Sequence, residues 1–262
     1  MGAKRTKKKP RKFILKIYNL VDKLKFKLKI KPNDDLIIVS GADSSHFRPL
    51  SQFIRSALHY EFDSKIVIYD LGLIKEQSDS IKNNVPQVNL KVFDYYKYPS
   101  YLNIKVDAGQ IAWKPVIISD VLNDFKSSVI WLDAGCLITQ PLYQIRNVIK
   151  KHGFYSPVSK GTIKEWTHPK TLKYLNVEND LLNKRNLSGG AVAIDFKCSK
   201  ALSLIKKWKE YALIKECIAP EGSNRKNHRR DQSILTILAY QFGFAQKIPQ
   251  RRLGFQVHQD VD

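Results

Sequence analysis

The stretch Trp113–Ile138, WKPVIISDVLNDFKSSVIWLDAGCLI, decides the fold. Its first half belongs to a helix that we predict over Ala108–Phe125, with a kink at Pro115. Its second half contains a short, fully apolar strand, Ser128–Leu132, which ends directly before Asp133. A helix that leads into a buried strand is typical of a sheet with helices packed on its faces. Open α/β sheets bind ligands beyond the carboxyl ends of their strands, so Asp133 is a candidate functional residue.

The segments on either side repeat this alternation of short strands and longer helices. Predicted strands are Leu36–Ser40, Lys65–Leu71, Val88–Tyr95 and Gly190–Phe196, and further predicted helices are His46–His59, Leu142–Lys151, Ala201–Leu213 and Asp231–Phe242. Strands that alternate with helices of about ten or more residues indicate a mostly parallel central sheet. We therefore expect one α/β domain over residues 33–262, with helices on both faces of the sheet.

The composition is that of a globular protein. Of the 262 residues, 43% are hydrophobic, which excludes a chain that is disordered throughout. No apolar run reaches the roughly 18–20 residues that a membrane-spanning helix needs. The cysteines Cys136, Cys198 and Cys217 form no CxxC pair, which argues against a disulfide scaffold and favours a reducing compartment. We expect a cytoplasmic protein, peripheral on a membrane if its basic arm binds one, and not a secreted one.

That arm carries more than half of the net charge of +21. Residues 1–32 contain thirteen Lys or Arg and one acidic residue, and lysines alternate with apolar residues from Lys23 to Lys31. The pattern leaves helix and strand open, but either gives one lysine face and one apolar face. Such a two-faced segment suits an anionic membrane surface, contacted through residues 4–31. A solvated tail, a nuclear-localisation signal and a helix packed on the domain are the alternatives.

The arm leads to a testable prediction. The full chain is expected to co-sediment with anionic vesicles at low salt and to be released at high salt, because salt screens exposed charges. A chain that starts at Asn33 is expected to stay in the supernatant. Equal sedimentation of the two chains would show that the arm is not the anchor.

Several familiar motifs are absent from the sequence. No GxGxxG follows the first strand, and neither GxxxxGK[ST] nor GxSxG occurs, which disfavours a dinucleotide site, a P-loop and a hydrolase elbow. No HExxH or paired Cys/His spacing indicates zinc. Two strand-end carboxylates remain, Asp43 after the first strand and Asp133 in Asp133-Ala134-Gly135.

Four segments, taken in order, resemble the GT-A-fold nucleotide-sugar glycosyltransferases, in particular the glycogenin-like and LPS-glycosyltransferase-like families. They are IIVSGADSSHFRPLSQFIRSAL (residues 37–58), Trp113–Ile138, NLSGGAVAIDFK (residues 186–197) and RRDQSILTILAYQFG (residues 229–243). The resemblance implies a single GT-A-like domain and a glycosyltransferase. It further implies a nucleotide-sugar donor, here expected to be a UDP-sugar, and a glycan, lipid-linked or protein acceptor.

The same resemblance assigns donor-binding roles to residues of this chain. Asp43 would contact the base or ribose, and Lys114 the donor diphosphate. Ser188, Gly189 and Gly190 would line the sugar pocket, where missing side chains let the backbone approach closely.

Two further acidic residues receive catalytic roles, and one neighbour a binding role. Asp133 matches the first carboxylate of the family's Asp-x-Asp motif. Asp231 and Gln232 match its Asp-Gln pair, which contacts the donor sugar or the acceptor. An inverting transfer needs a carboxylate base, for which Asp231 is the first candidate and Glu221 the second.

The chain departs from the family at the metal motif. Gly135 stands where the second Asp would be, so one carboxylate for Mn²⁺ or Mg²⁺ is missing. Asp133 would bind the cation together with His258 or Asp260. A divalent cation is therefore an uncertain cofactor, and an inactive transferase-like protein is one alternative.

A non-enzymatic basic protein is the other alternative. The arm and the run from Arg225 to Arg230 could neutralise nucleic-acid phosphates. No zinc finger, RNP motif or helix-turn-helix signature accompanies them, so nucleic acid is not the expected partner.

Overall fold

The computed structural model describes residues 21–22, 24–28, 35–245 and 248–259. The chain divides into two units, residues 1–34 and residues 35–262. In the first unit residues 24–27 are helical, while the boundary predicted at residue 32 lies outside the described residues. None of the helices in the described ranges is long and apolar enough to cross a membrane.

A six-stranded sheet forms the centre of the second unit, in the order β3-β2-β1-β4-β9-β6. The strands are β1 (Ile37–Asp43), β2 (Ile66–Gly72), β3 (Val88–Val92), β4 (Val129–Leu132), β5 (Leu137–Ile138), β6 (Phe154–Tyr155), β7 (Val158–Thr162), β8 (Arg185–Leu187), β9 (Ala191–Ile194) and β10 (Phe255–Gln256). Strands β1 to β4 are parallel, and β9 runs antiparallel to both β4 and β6. The predicted mostly parallel sheet is confirmed. Two small antiparallel pairs, β5 with β10 and β7 with β8, lie outside it.

Helices cover both faces of the sheet, as predicted. They are α1 (Phe47–Tyr60), α2 (Lys75–Asn84), α3 (Trp113–Phe125), α4 (Tyr143–His152), α5 (Ile163–Trp166), α6 (Pro169–Tyr174), α7 (Ser199–Ala212), α8 (Lys215–Ile218) and α9 (Asp231–Gln241). Alternate residues of a strand point to opposite faces, so β1 contributes to two cores. Ile38 belongs to the core that includes α1 and α4, and Val39 to the core that includes α3, α7 and α9. The full burial of such side chains stabilises each face by about 1.5–3 kcal/mol per residue.

Two predicted boundaries are wrong in ways that matter for the site. Strand β1 does not end at Ser40, because Gly41 and Ala42 continue its pairing with β2 and bring Asp43 to its end. Helix α3 begins at Trp113 instead of Ala108. Pro115 produces no kink at that point, since in the first turn of a helix its missing N–H has no helical partner to lose.

Candidate functional site

A cavity of about 420 Å³ opens at the carboxyl ends of β1 and β4. Its size is in the range of small-molecule sites. The predicted residues Asp43, Lys114, Asp133, Gly190 and His258 all line it. Further lining residues were not predicted as members of the site: His46, Ile104, Ala108, Ile111, Cys136 and Arg225.

Lys114 is the central charge of this cavity and is almost fully buried. Its Nζ atom lies 2.8 Å from Asp133 Oδ1 and 3.8 Å from Asp231 Oδ2, and it donates a hydrogen bond of 3.0 Å to the carbonyl of Gly189. Burial opposes the ammonium charge, but the neighbouring carboxylates, Asp133 first, outweigh it and raise the pKa of Lys114. A permanent positive charge therefore sits at the floor of the cavity.

Asp133 is held by its neighbours on one side and open on the other. Its Oδ1 accepts a 2.6 Å hydrogen bond from Trp131 Nε1 in addition to the contact with Lys114, and its side chain is 40% exposed. Trp113 and Trp131 pack against each other, with Lys114 Nζ 5.9 Å and 5.6 Å from their ring centres. The two rings exclude water from Lys114, and this strengthens its attraction to Asp133.

Asp231 is the first residue of α9 and is only 1% exposed. Its Oδ2 has no hydrogen-bond partner among the described residues. Burial raises the pKa of Asp231 to about 6; Asp133 adds to the increase, and Lys114 opposes it. Asp231 does not occupy the N-cap position of α9, which is taken by Arg230.

The segment 188–190 separates the two carboxylates. A Cβ atom on Gly189 would lie 3.2 Å from Asp231 Oδ2, and one on Gly190 would lie 3.2 Å from Asp133 Oδ2. Both distances are tight for a methyl group, so the glycines make room for the carboxylates as well as for a ligand. Ser188 Oγ accepts a hydrogen bond of 3.2 Å from the backbone N–H of Gly190.

Asp43 ends β1 and fixes the turn that follows. Its Oδ1 accepts hydrogen bonds from Ser45 Oγ and from the backbone N–H of His46, and it lies 2.7 Å from His46 Nδ1. Although burial acts in the opposite direction, these contacts, those of His46 first, lower the pKa of Asp43. Asp43 is thus both a cap for residues 44–46 and part of the cavity wall.

An unusual loop forms the wall opposite this turn. Residues 107–111 all have φ between 49° and 59°, although Gly109 is the one glycine among them. Left-handed backbone costs about 1–2 kcal/mol for each non-glycine residue, so the loop needs external support. Arg230 provides it, because its guanidinium donates to the Asp107 carbonyl at 2.8 Å and to Asp107 Oδ1 at 2.6 Å.

Asp107→Ala is expected to loosen this wall. Binding of a nucleotide diphosphate, the ligand expected from the sequence, should weaken about fivefold, the equivalent of roughly 1 kcal/mol for a partly exposed charge pair. Titration of the variant with a nucleotide diphosphate measures the effect. Asp79→Ala is the control, since it removes an exposed 2.7 Å pair with Lys75 that does not line the cavity. Equal affinities in the two variants would mean that the pair does not support the site.

Potential metal ligands are few. Asp133 and His258 line the same cavity, and Asp260 lies outside the described residues. Glu221, the second candidate for the base, is exposed in an ion pair with Lys170 and does not line the cavity. Across the described ranges, no group of three or more His, Cys, Asp or Glu side chains is placed to hold a metal ion. Asp133 and His258 are the two predicted cation ligands that lie at this cavity, and a divalent cation stays a prediction.

The remaining predicted residue, Gln232, lines a neighbouring cavity together with Ser188. The two cavities share Val257 and His258, and Gln259 anchors this carboxyl-terminal segment by donating from its backbone N–H to the Gly135 carbonyl at 2.7 Å. The structure therefore brings Asp43, Lys114, Asp133 and Gly190 together in one cavity, and it puts Ser188 and Gln232 in the next.

The run from Arg225 to Arg230 is not a free basic surface. Arg225 lines the first cavity and Arg229 the second, while His228 and Arg230 are buried. Burial lowers the pKa of His228 to about 4, so this residue carries no charge near neutral pH. Arg225 and Arg229 are the members of the run that belong to the walls of the two cavities.

Comparisons with known proteins agree with this architecture. Residues 13–119 match a family described as a protein of unknown function, DUF1647. A search of curated sequences found no match.

Two solved structures resemble the chain in fold. One is the galactosyltransferase LgtC in complex with donor and acceptor sugar analogs, with a TM-score of 0.51 at 15% identity over 82% of this chain and 74% of that one. The other is the glycosyltransferase GlyE of Streptococcus pneumoniae TIGR4, with a TM-score of 0.51 at 14% identity. That match covers 84% of this chain and 46% of GlyE. This chain therefore spans about half the length of GlyE. The chain therefore has the GT-A glycosyltransferase fold that its four sequence segments predicted.

Proposed function

We propose that the protein is a glycosyltransferase that moves a sugar from a nucleotide-diphosphate donor, a UDP-sugar, to a hydroxyl group of a glycan, lipid-linked or protein acceptor. The observation that carries the proposal is the buried Lys114, held by Asp133 and Asp231 at the floor of a ligand-sized cavity. The position of this cavity at the carboxyl ends of β1 and β4 supports it, because open α/β sheets bind nucleotides there.

The reaction separates charge, and the cavity offers a cation for the negative part. Negative charge develops on the departing diphosphate and positive charge at the anomeric carbon. Lys114 would stabilise the diphosphate electrostatically, because a fixed charge in a water-poor site acts without reorganisation. Two of its three N–H donors are engaged by Asp133 and Gly189, so a third is available to an oxygen of the donor.

The acceptor hydroxyl must lose a proton during an inverting transfer. Asp231 is our candidate for the base, since its unpartnered oxygen and its pKa of about 6 suit a proton acceptor that works near neutral pH. Asp231 is buried and lines neither cavity, so the acceptor hydroxyl would have to reach it beside Gly189, where a Cβ atom would lie 3.2 Å from Asp231 Oδ2. Catalytic hydrogen bonds often tighten only in the complex with substrate.

Thermal shift with a nucleotide panel tests the proposal. UDP or a UDP-sugar at about 100 times its dissociation constant should stabilise the fold by roughly 2.7 kcal/mol. The panel includes GDP, CDP and ADP, with and without Mn²⁺. The absence of a shift with any nucleotide diphosphate would overturn the donor assignment.

Gly135→Asp tests the missing metal carboxylate. If the turn position is equivalent to the second Asp of the motif, the added carboxylate supplies a second oxygen ligand beside Asp133. Mn²⁺ is expected to bind the nucleotide-loaded variant at least about tenfold more tightly, because ligand charge sets the affinity of hard-cation sites. Calorimetric titration measures this, with Gly135→Asn as the uncharged control. Equal affinities in the variant, the control and the natural chain would show that the positions are not equivalent.

A further inference from the structure

A groove leads away from the 420 Å³ cavity, which we call the donor cavity. It consists of two adjoining cavities of about 590 and 830 Å³, which share Pro157, Val158, Arg185 and Gln250 as walls. The nearer cavity meets the donor cavity at Val257 and His258. We call the two joined cavities the basic groove, because Lys and Arg side chains line both of them.

The basic groove is lined by five cationic side chains and by no Asp or Glu among the described residues. The cations are Lys160, Lys184, Arg185, Arg229 and Arg251. Their positive charges are not neutralised within the described part of the chain. Arg185 donates to the Ser159 carbonyl at 2.8 Å, and the Arg229 guanidinium stacks 3.9 Å above the Trp166 ring.

Several other lysines of the surface differ from these five cations, because they have acidic partners. Lys75, Lys91, Lys170 and Lys209 each lie 2.7–3.0 Å from a carboxylate. Five cations without acidic partners that converge on one concave surface repel one another unless an anion binds there. The charge of the groove therefore indicates a ligand with several negative groups.

A buried amide indicates the chemical class of that ligand. Asn186 lies between Arg185 and Leu187 in β8, lines the groove and is 0% exposed. Neither its Oδ1 nor its Nδ2 has a hydrogen-bond partner within the described ranges. A buried amide without partners costs about 1–3 kcal/mol, and a sugar hydroxyl can satisfy it because a hydroxyl both donates and accepts.

We propose that the basic groove binds the acceptor of the transfer, and that this acceptor is an anionic glycan, with carboxylate, sulfate or phosphate groups on its sugars. The inference rests on the proposed function, because the groove is an acceptor site only if the adjoining cavity holds the donor. Its length over two cavities suits several sugar units, and its junction with the donor cavity at His258 places one end near Asp133 and Gly190.

The test compares the binding of labelled oligosaccharides to the full chain. The probes are a heparin hexasaccharide with sulfates and carboxylates, a hyaluronan hexasaccharide with carboxylates alone, neutral maltohexaose and a single-stranded DNA 12-mer. We expect both anionic hexasaccharides to bind at least about tenfold more tightly than maltohexaose. Similar affinities for the charged and neutral sugars would overturn the inference.

Variants separate the groove from the lysine-rich arm, which every variant retains. Lys160→Gln with Arg251→Gln is expected to weaken binding of the anionic hexasaccharides about tenfold, since each exposed charge contributes up to about fivefold. The control, Lys82→Gln with Lys206→Gln, removes two exposed lysines that do not line the groove and is expected to change affinity less than twofold. Equal effects of the two double variants would overturn the proposal.

Asn186→Leu gives a second and different readout. It removes both polar atoms without changing charge, so we expect weaker binding of the neutral and the anionic hexasaccharides, with no loss of melting temperature. An unchanged affinity for every sugar would contradict the assignment.

Two further outcomes distinguish the sources of failure. If the double groove variant weakens DNA binding more than hexasaccharide binding, the groove is a nucleic-acid site and the inference is wrong. If the hexasaccharides bind through the groove but no nucleotide diphosphate binds by calorimetry, the transferase function fails, and the groove remains an anionic-glycan site.

Discussion

Asp133→Asn is expected to reduce sugar transfer and donor hydrolysis at least about 100-fold while the fold stays intact. The side chain keeps its shape and can still accept from Trp131 Nε1, so the packing around β4 is preserved. What disappears is the negative charge 2.8 Å from Lys114 Nζ, together with the partly exposed oxygen that faces the donor cavity. Loss of a single electrostatic group in a catalytic site typically costs about 10²–10³ in turnover.

Asp120→Asn is the matched control for this experiment. Asp120 also lies 2.7 Å from a lysine, Lys209, and its side chain is 37% exposed, close to the 40% of Asp133. It belongs to the same helix as Lys114 but does not line the donor cavity. We expect its activity to stay within about twofold of the natural chain, and a purified Asp133→Asn protein with normal turnover would rule out the proposed role.

The predicted order of strands and helices was confirmed because it depends on local patterns. Buried strands such as β4 are short apolar runs, and α1 and α7 show helical periodicity, both of which can be recognised in a single sequence. The position of Asp133 directly after β4 follows from the same pattern. The contact between Lys114 and Asp133 could not be predicted from this local pattern, because the contact depends on how α3 packs against β4.

No sequence pattern indicated the left-handed loop at residues 107–111. Residues 108–111 were predicted as the first turn of α3, because Ala108 favours a helix and only Gly109 disfavours one. The left-handed conformation depends on Arg230, which is 123 positions away in the chain and donates to Asp107. Long-range contacts of this kind override local propensity. For the same reason, the sequence pattern could not place Ile104, Ala108 and Ile111 in the wall of the cavity.

The basic run from Arg225 to Arg230 shows the same limit. Composition alone favours a solvated patch that attracts nucleic acid. The fold instead buries His228 and Arg230, and it places Arg225 and Arg229 in the walls of two different cavities. The placement of these side chains depends on the tertiary structure, so the charge pattern alone could not distinguish the run from the amino-terminal arm.

Asp231→Asn is expected to have the most informative combination of effects, lower activity and higher stability. A carboxylate that takes the acceptor proton contributes about 10²–10⁴ in rate, so turnover should fall by that factor while nucleotide affinity changes little. Equal losses of turnover and of nucleotide affinity would make Asp231 a ligand of the donor instead. Asp120→Asn serves again as the control.

The pH dependence follows from the pKa of about 6, compared with about 4 for an unfolded aspartate. Activity that needs the ionised Asp231 should fall as the pH drops through about 6, and the Asn variant should lack this step. Normal pH dependence in the variant would assign the step to another group.

Stability should change in the opposite direction. Because the folded pKa is raised, the folded state holds the proton more tightly than the unfolded state, and this contribution to the free energy of unfolding is lost as the pH rises from about 4 to 6. At pH 7.5 the natural chain therefore carries a buried charge that destabilises it by about 2–3 kcal/mol. Asp231→Asn is expected to recover about 1–3 kcal/mol in urea unfolding at pH 7.5 and almost nothing near pH 4. A variant less stable than the natural chain at pH 7.5 would show that the attraction of Asp231 to Lys114 exceeds the cost of its burial, and that its primary role is to hold the lysine.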